Sequence, residues 1–304
     1  MEVTMQAFSN NFAKILGILG VGLRDRRPQD KFKVWATHIE NPAEALHTGE
    51  VQVAFYTPPW VGLMDASGTG FAEGEPKYGL RSIASFPHFD QYAFAIRKDL
   101  GIRSFPELIQ RAEGLKISLH FAGPRFIREV LKAYEGDFDE FAARGNTWVQ
   151  LEYATWQKGW THLIKGGELD GVFDEGLMTK RWLQVSDEID LEYLPIDGPQ
   201  LDLLEAYGMK KGFIPKGRLR GVDRDLPTID MEGWVMVCDE SLPEDLVYDM
   251  TKTLDEVSGT IDASFSPGQG MTGKFAEHPM WEKLDIPVHP GAERYYREQG
   301  HTPI

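Results

Sequence analysis

Cysteine is nearly absent, with Cys238 the single one in 304 residues. That excludes an intrachain disulfide and a thiolate metal cluster. Its setting, Trp234-Val235-Met236-Val237-Cys238, is an apolar, strand-like run in which a thiol reads as buried and inert. Positive charge is scarce as well. Lys and Arg total 32 against 47 Asp and Glu, a net charge of −15. This argues against nucleic acid or an anionic membrane as partner, since both need a basic face. Small anionic ligands stay open, because one local arginine holds one within an acidic protein. Long apolar runs are missing: nothing approaches the roughly 20 residues of a membrane span. The early run Ile15–Leu23 is broken by glycines, and Met1–Ala7 carries no basic n-region of an export signal. The chain is therefore cytoplasmic if native as given, or periplasmic if a signal has been removed. Gly-rich phosphate loops, zinc-ligand spacings and nucleophile elbows are also lacking. The histidines are scattered. No cofactor and no metal are expected.

What is present is globular in character, with 42% hydrophobic and 26% charged residues. The length suits two domains with a core in each. One pattern occurs twice. Gly49-Glu50 follows a helical stretch, a short strand runs from Val51 to Phe55, and the loop Thr57-Pro58-Pro59-Trp60 opens. Later Gly167-Glu168 follows another helical stretch, a strand runs from Leu169 to Phe173, and Asp174-Glu175-Gly176 opens. Two copies of one unit predict two similar α/β lobes. Each delivers loops from the carboxyl ends of its strands, where open α/β sheets bind ligands.

In chain order, Val3–Ala7 reads as a strand and Ser9-Asn10-Asn11 as helix-capping residues. A buried helix follows from Phe12 to Leu23, then the alternating strand Phe32–Ala36 and a helix from Pro42 to Thr48. Strands are also expected at Leu80–Ser85, Tyr92–Ile96, Lys116–His120, Trp148–Leu151, Leu191–Pro195 and Trp234–Cys238. Helices are expected at Pro124–Tyr134, Thr155–Lys165, Leu242–Val257 and Gly291–Gln299. Residues 208–228 read as a surface excursion and 263–274 as a loop. The lobes are expected to be 1–94 plus 258–304 and 95–257, with hinge crossings near 92–97 and 234–240.

The tail Ile286-Pro287-Val288-His289-Pro290-Gly291-Ala292-Glu293-Arg294-Tyr295-Tyr296-Arg297-Glu298 resembles the C-terminal signature of the TAXI family, solute receptors of some TRAP transporters. Leu80-Arg81-Ser82-Ile83-Ala84-Ser85, Ile102-Arg103-Ser104-Phe105-Pro106-Glu107-Leu108, Leu194-Pro195-Ile196-Asp197-Gly198 and Leu242-Pro243-Glu244-Asp245-Leu246-Val247-Tyr248 follow in the family's order. The resemblance implies an α/β, periplasmic-binding-protein-like fold of type II. Each lobe would be a mixed, mostly parallel sheet flanked by helices, with a ligand cleft between lobes. It also implies a small organic acid as ligand, a TRAP-type permease as partner and an export signal. The ligand loops depart from the family. Ser9-Asn10-Asn11-Phe12-Ala13 stands where a Gly-Gly-Thr-Tyr-Tyr-like loop is usual. His120-Phe121-Ala122-Gly123-Pro124-Arg125-Phe126 replaces a Gly/Ser-rich one.

On the residues themselves, Ser9, Asn10 and Asn11 offer a helix N-terminus to an anion or simply cap it. Tyr56, Thr57 and Trp60 sit on a proline-stiffened loop, where Trp60 is either a ligand wall or a core side chain. His88 and Asp90 are spaced to hydrogen-bond each other. Arg125, in a helix's first turn, is badly placed for the helix dipole and suits a carboxylate, or else an ordinary ion pair. Phe12 and Phe126 would give apolar walls. Asp174 and Glu175 would take an ammonium or hydroxyl, act as acid or base, or cap a helix. Trp156 and Trp160, four apart, read as a core stripe. A solute-binding protein is the first reading. A cytosolic, metal-independent decarboxylase or hydrolase of an aromatic acid is the alternative, with His120, His88, Asp90, Asp174 and Glu175 as its titratable groups.

Overall fold

The computed structural model describes residues 1–119, 123–266 and 271–304. The chain opens with β1 (Glu2–Ala7), α1 (Asn10–Arg26), β2 (Lys31–Ala36), α2 (Pro42–His47), β3 (Ala54–Tyr56), α3 (Pro59–Ser67) and β4 (Leu80–Phe86). It continues through β5 (Ala93–Arg97), α4 (Phe105–Arg111), β6 (Lys116–Leu119), α5 (Gly123–Ala133), α6 (Phe138–Ala143), β7 (Thr147–Gln150), α7 (Tyr153–Lys158), α8 (Thr161–Lys165) and β8 (Gly171–Asp174). Then come α9 (Lys180–Glu188), β9 (Leu191–Tyr193), α10 (Gly198–Tyr207) and the strands β10 (Lys211–Ile214) and β11 (Leu226–Ile229). The last elements are β12 (Trp234–Asp239), α11 (Glu244–Ser264) and α12 (Pro290–Glu298). Two compact units result, Met1–Phe89 with Glu232–Ile304, and Asp90–Met231.

In the first unit β12 lies between β3 and β4 and is antiparallel to both. β1 and β2 run parallel, and a parallel bridge from Met5 to Val53 joins them to β3. The order is thus β2-β1-β3-β12-β4. Apolar residues of α1 at helical spacing, Phe12, Ile15, Leu16, Leu19 and Leu23, pack with Leu246, Val247, Met250 and Leu254 of α11 on Val3, Met5, Phe55 and Met236 of the sheet. That spacing is what buries one stripe of each helix against a flat surface. Cys238 lies in this core, and burial pushes its thiol well above the ordinary range. It is the inert thiol its strand context predicts.

The second unit has the order β7-β6-β8-β5-β9, with β5 antiparallel to its neighbours. The two sheets follow one plan. In the second unit β6, β7, β8 and β9 take the places that β1, β2, β3 and β4 take in the first, and β5 takes that of β12, between the third and fourth of each set. The registers correspond too. Met5 stands beside Val53 in one sheet and Ile117 beside Gly171 in the other, so Gln6 matches Ser118 and Tyr56 matches Asp174.

The repeated Gly-Glu corner leads into the third strand in both units. Gly49 and Gly167 take φ of +77° and +73°, a region closed to most side chains. Gly49 N–H donates to Leu46 and Gly167 N–H to Ile164. Val51 N–H then returns to Ala45, and Leu169 N–H to Leu163. This mixed α/β, two-unit plan is the one expected.

Several boundaries differ from the sequence pattern. The units join at 89/90 and 231/232, so β5 belongs wholly to the second unit, while β12 and α11 belong to the first. The pairing of β5 with β8 and β9, and the packing of α11 on α1, decide this. Residues up to 257 are therefore not part of the second unit. The expected helix Thr155–Lys165 is two helices, parted at Gly159 with φ +83°. Residues 208–228 carry the antiparallel pair β10–β11, and α11 continues to Ser264. Pro59 and Trp60 open α3 and are not a loop, with Pro at the helix start where its missing N–H costs nothing.

Candidate functional site

In the second unit, Asp174 ends β8. Sheet register places Ala93 opposite Asp174, and Ala95 and Ser118 opposite Val172. Opposite partners share a face and alternate residues of a strand return to it, so all five lie on one side. Trp160 and Trp182 pack on this side with Ala93, Ala95 and Val172. Asp174 is 0% exposed. Its Oδ2 accepts a hydrogen bond from Trp156 Nε1 at 2.7 Å, and its Oδ1 has no partner among the described residues. Burial and the neighbouring Glu175 charge push this carboxyl well above the usual carboxylate range. Trp156 and Arg181 pull against them and lose. Burial thus works against the charged form of this acid.

The turn after Asp174 is fixed from below by a second buried acid. Asp90 accepts from the backbone N–H of Gly176 at 2.9 Å, Leu177 at 2.8 Å and Gln91 at 2.8 Å. The Glu175 side chain is hydrogen-bonded to it as well, yet burial still raises its carboxyl. Trp182 Nε1 donates to the Glu175 carbonyl and Arg218 Nη2 to that of Leu177, at 2.9 and 3.1 Å. Arg181 stacks over Trp156 at 3.5 Å and lies 5.5 Å from the Trp160 ring. That cation–π contact fixes the indole that reaches Asp174. A raised, buried carboxyl is poorly suited to a metal, because metals take the deprotonated form. Its protonated form is a good hydrogen-bond donor.

In the first unit, β1 and β3 bring Ser9-Asn10-Asn11 and Thr57 to strand ends. Ser9 is the N-cap of the 17-residue α1 and makes no side-chain capping bond. The helix's first N–H groups thus keep their capacity for an acceptor. Tyr56 Oη donates to Asp65 at 2.6 Å, and Thr57 Oγ1 is buried without a partner.

The other expected residues are placed as follows. His120 lies outside the described residues. His88 ends the first unit, its ring stacked on Trp234 at 4.4 Å. Arg125 is exposed in the first turn of α5, 5.4 Å from the Phe126 ring. The three aromatics expected as apolar walls are all buried. Phe12 sits in the first unit's core, against Phe55 and Trp234 at 4.3 and 4.8 Å. Trp60 and Phe126 are buried too, Trp60 beside Phe71 and Phe126 beside Tyr92. A helix start turns its apolar first-turn residues inward, and that is where all three lie. Trp156 and Trp160 do not form a stripe on one helix, since the chain breaks between them. Sequence reasoning missed Arg181 and Trp156. Their signal was the glycine inside Trp156-Gln157-Lys158-Gly159-Trp160, which argues against a continuous helix.

The tail signature is structural. His289 Nδ1 accepts from Gly291 N–H at 3.1 Å and caps α12. A Cβ on Gly291 would stand 2.2 Å from the Glu244 carbonyl, so α12 approaches α11 backbone to backbone. Arg294 pairs with Glu244 at 2.6 Å and Asp245 at 3.1 Å, and Tyr296 Oη donates to Ile83 O at 2.8 Å.

The NMT1-like family profile matches residues 39–300. The chain belongs to the NMT1-like family. Among solved structures, this NMT1-like protein is similar to a periplasmic transporter (10% identity, TM-score 0.46, covering 91% of this chain and 90% of that one). It is also similar to a TRAP periplasmic solute binding protein from Shewanella oneidensis with bound succinate (13%, 0.40, 86% and 80%). A third is the alkanesulfonate-binding protein SsuA from Xanthomonas axonopodis pv. citri bound to MOPS (13%, 0.41, 87% and 72%). No residue role is taken from them. Among the described residues of the NMT1-like chain, no helix is long and apolar enough to cross a membrane.

Proposed function

We propose that this NMT1-like protein is a solute-binding protein for a small organic carboxylate, aromatic acids included. In this reading it works in the periplasm, as a TAXI-type receptor for a TRAP-type permease, with no metal and no cofactor. The observation that carries the reading is the start of α1. A long helix begins at a strand end with Ser9 making no capping bond, which suits a carboxylate. Asn10 and Asn11 add side-chain amides there, and Thr57 brings a hydroxyl without a partner. In the second unit, Arg125 is an exposed cation suited to a carboxylate. The tail supports the receptor scaffold alone, because its residues hold α12 to α11.

Titration calorimetry with benzoate and succinate tests this reading. Binding of either acid is expected, and Arg125→Ala should weaken it about tenfold or more, as loss of a charge-assisted contact does. If neither acid binds in calorimetry or shifts the melting temperature, the reading fails.

A second reading, a metal-independent decarboxylase or hydrolase of an aromatic acid, is favoured by one observation. Asp174 is a buried carboxyl raised well above the usual carboxylate range, the direction a general acid needs. An acid ligand recovered chemically unchanged after long incubation counts against it.

A further inference from the structure

Three features of the second unit converge on Asp174. The first is an incomplete set of hydrogen bonds. Buried polar atoms are nearly always paired, yet among the described residues Asp174 Oδ1 and, on the same face of the sheet, Ser118 Oγ have no partner. Trp160 Nε1, from the cluster packed on that face, has none either. The second is size. Among the described residues Ala93 stands directly across from Asp174, and Ala95, Ser118 and Val172 lie further along the face, so the described side chain directly across from the acid is a small one. The third is direction of donation. Oδ2 is occupied as an acceptor by the Trp156 N–H at 2.7 Å, so a proton on this carboxyl sits on Oδ1, the atom without a partner. The charged and titratable groups described around it are Glu175, Arg181 and Tyr92. Burial, and Glu175 with it, works against the charged form of the acid. Tyr92 Oη is itself committed to the Phe173 carbonyl at 3.0 Å.

We propose that Asp174 is a hydrogen-bond donor to the ligand, presenting Oδ1–H to a carboxylate or carbonyl oxygen. This deepens the carboxylate reading and rests on it. It also reverses the obvious role for an acid at the end of a strand, which is to accept from an ammonium. A solute with an acceptor oxygen satisfies the orphan proton. One with an ammonium there meets a donor and is rejected. The matching position of the first unit carries Tyr56, whose hydroxyl is spent on Asp65 within that unit. The donor function is therefore particular to the second copy of the repeat.

The test is calorimetry of the full chain with benzoate, succinate and, as the cationic control, benzylamine. Asp174→Asn keeps an N–H donor and an acceptor for Trp156, so its affinity for the acid should stay within about threefold of the wild type. Asp174→Ala removes the donor and should weaken binding about tenfold or more, as for a lost hydrogen bond to a charged group. Benzylamine should not bind the wild type. Equal affinity of the wild type and Asp174→Ala, or tighter binding of benzylamine than of either acid, overturns the proposal while leaving the carboxylate reading standing. Binding of neither acid overturns both. A readout independent of ligand and of the Ala variant's folding is infrared difference spectroscopy of wild type against Asp174→Asn at neutral pH. A protonated-carboxyl band in the wild type supports the proposal. A carboxylate band in its place refutes it.

Discussion

The indole N–H of Trp156 donates to Oδ2 of Asp174 across 2.7 Å. It joins the helix that follows the edge strand to the last residue of the central one. Trp156→Phe keeps a ring for Arg181 to stack on and deletes the N–H. Asp174 is then left with neither oxygen paired among the described residues. A loss of about 1–3 kcal/mol in unfolding free energy is expected, the range for orphaning a buried polar group. Urea denaturation of the variant measures it. An unchanged midpoint would mean that the bond adds nothing to stability.

Asp90 is the base on which the turn after Asp174 rests. Asp90→Ala leaves the N–H groups of Gln91, Gly176 and Leu177 without their acceptor. Each is buried with it, so a destabilisation of about 3 kcal/mol or more is expected. Hydrogen exchange should accelerate first at Gly176 and Leu177. Unchanged protection there would show that the turn stands without Asp90.

Stability should depend on pH through the same acids. The carboxyls of Asp174 and Asp90 are raised above their ordinary value of 3.8. Above that value the unfolded chain has released these protons, while the folded protein still holds them. Folding stability therefore falls as pH rises from 3.8 towards the folded values. Asp174→Asn removes its share, so the variant's stability should decline less steeply than that of the wild type. Urea midpoints across a pH series give both slopes, and parallel slopes would contradict the expectation.

Two glycines should respond in opposite directions. Gly291→Ala places a methyl 2.2 Å from the Glu244 carbonyl and 2.9 Å from the Tyr248 nitrogen. Both are backbone atoms of α11, so about 1–3 kcal/mol should be lost to overpacking. Gly17 lies inside α1, and an added Cβ there meets nothing within 4 Å. Gly17→Ala should stabilise by about 0.5–1 kcal/mol through helix propensity. Thermal melts of the two variants side by side check the signs.

Much of this architecture was legible because it is local. The Gly-Glu corners at 49–50 and 167–168 announce a helix end and a strand start within a few residues. Their recurrence carried the two-unit plan. The place of β12 between β3 and β4 was not legible, because no local pattern records which strand a returning chain will pair with. The unit boundary failed for the same reason: Leu246 and Met250 read as a helix face without saying which core receives it. Asp174 was singled out from its position at a strand end. Its raised carboxyl was not, because burial raises it first and the Glu175 charge second, and no local pattern records how deeply a strand end is buried. Trp60 was left between a ligand wall and a core side chain, since a sequence shows an aromatic beside prolines and not the direction in which the following helix turns it.

The chain's two passages between units leave a nested layout. Met231 N–H meets the Asp90 carbonyl at 3.1 Å, and Gly233 N–H meets that of His88 at 2.7 Å, so each unit is closed just beside the splice. During synthesis this sets an order. The second unit has all its five-stranded sheet once Tyr193 has emerged. The first unit, begun earlier, waits for Trp234–Asp239 to fill the gap between β3 and β4. The segment translated in the middle is the first able to finish folding, and the amino-terminal strands must stay soluble on the ribosome until it has.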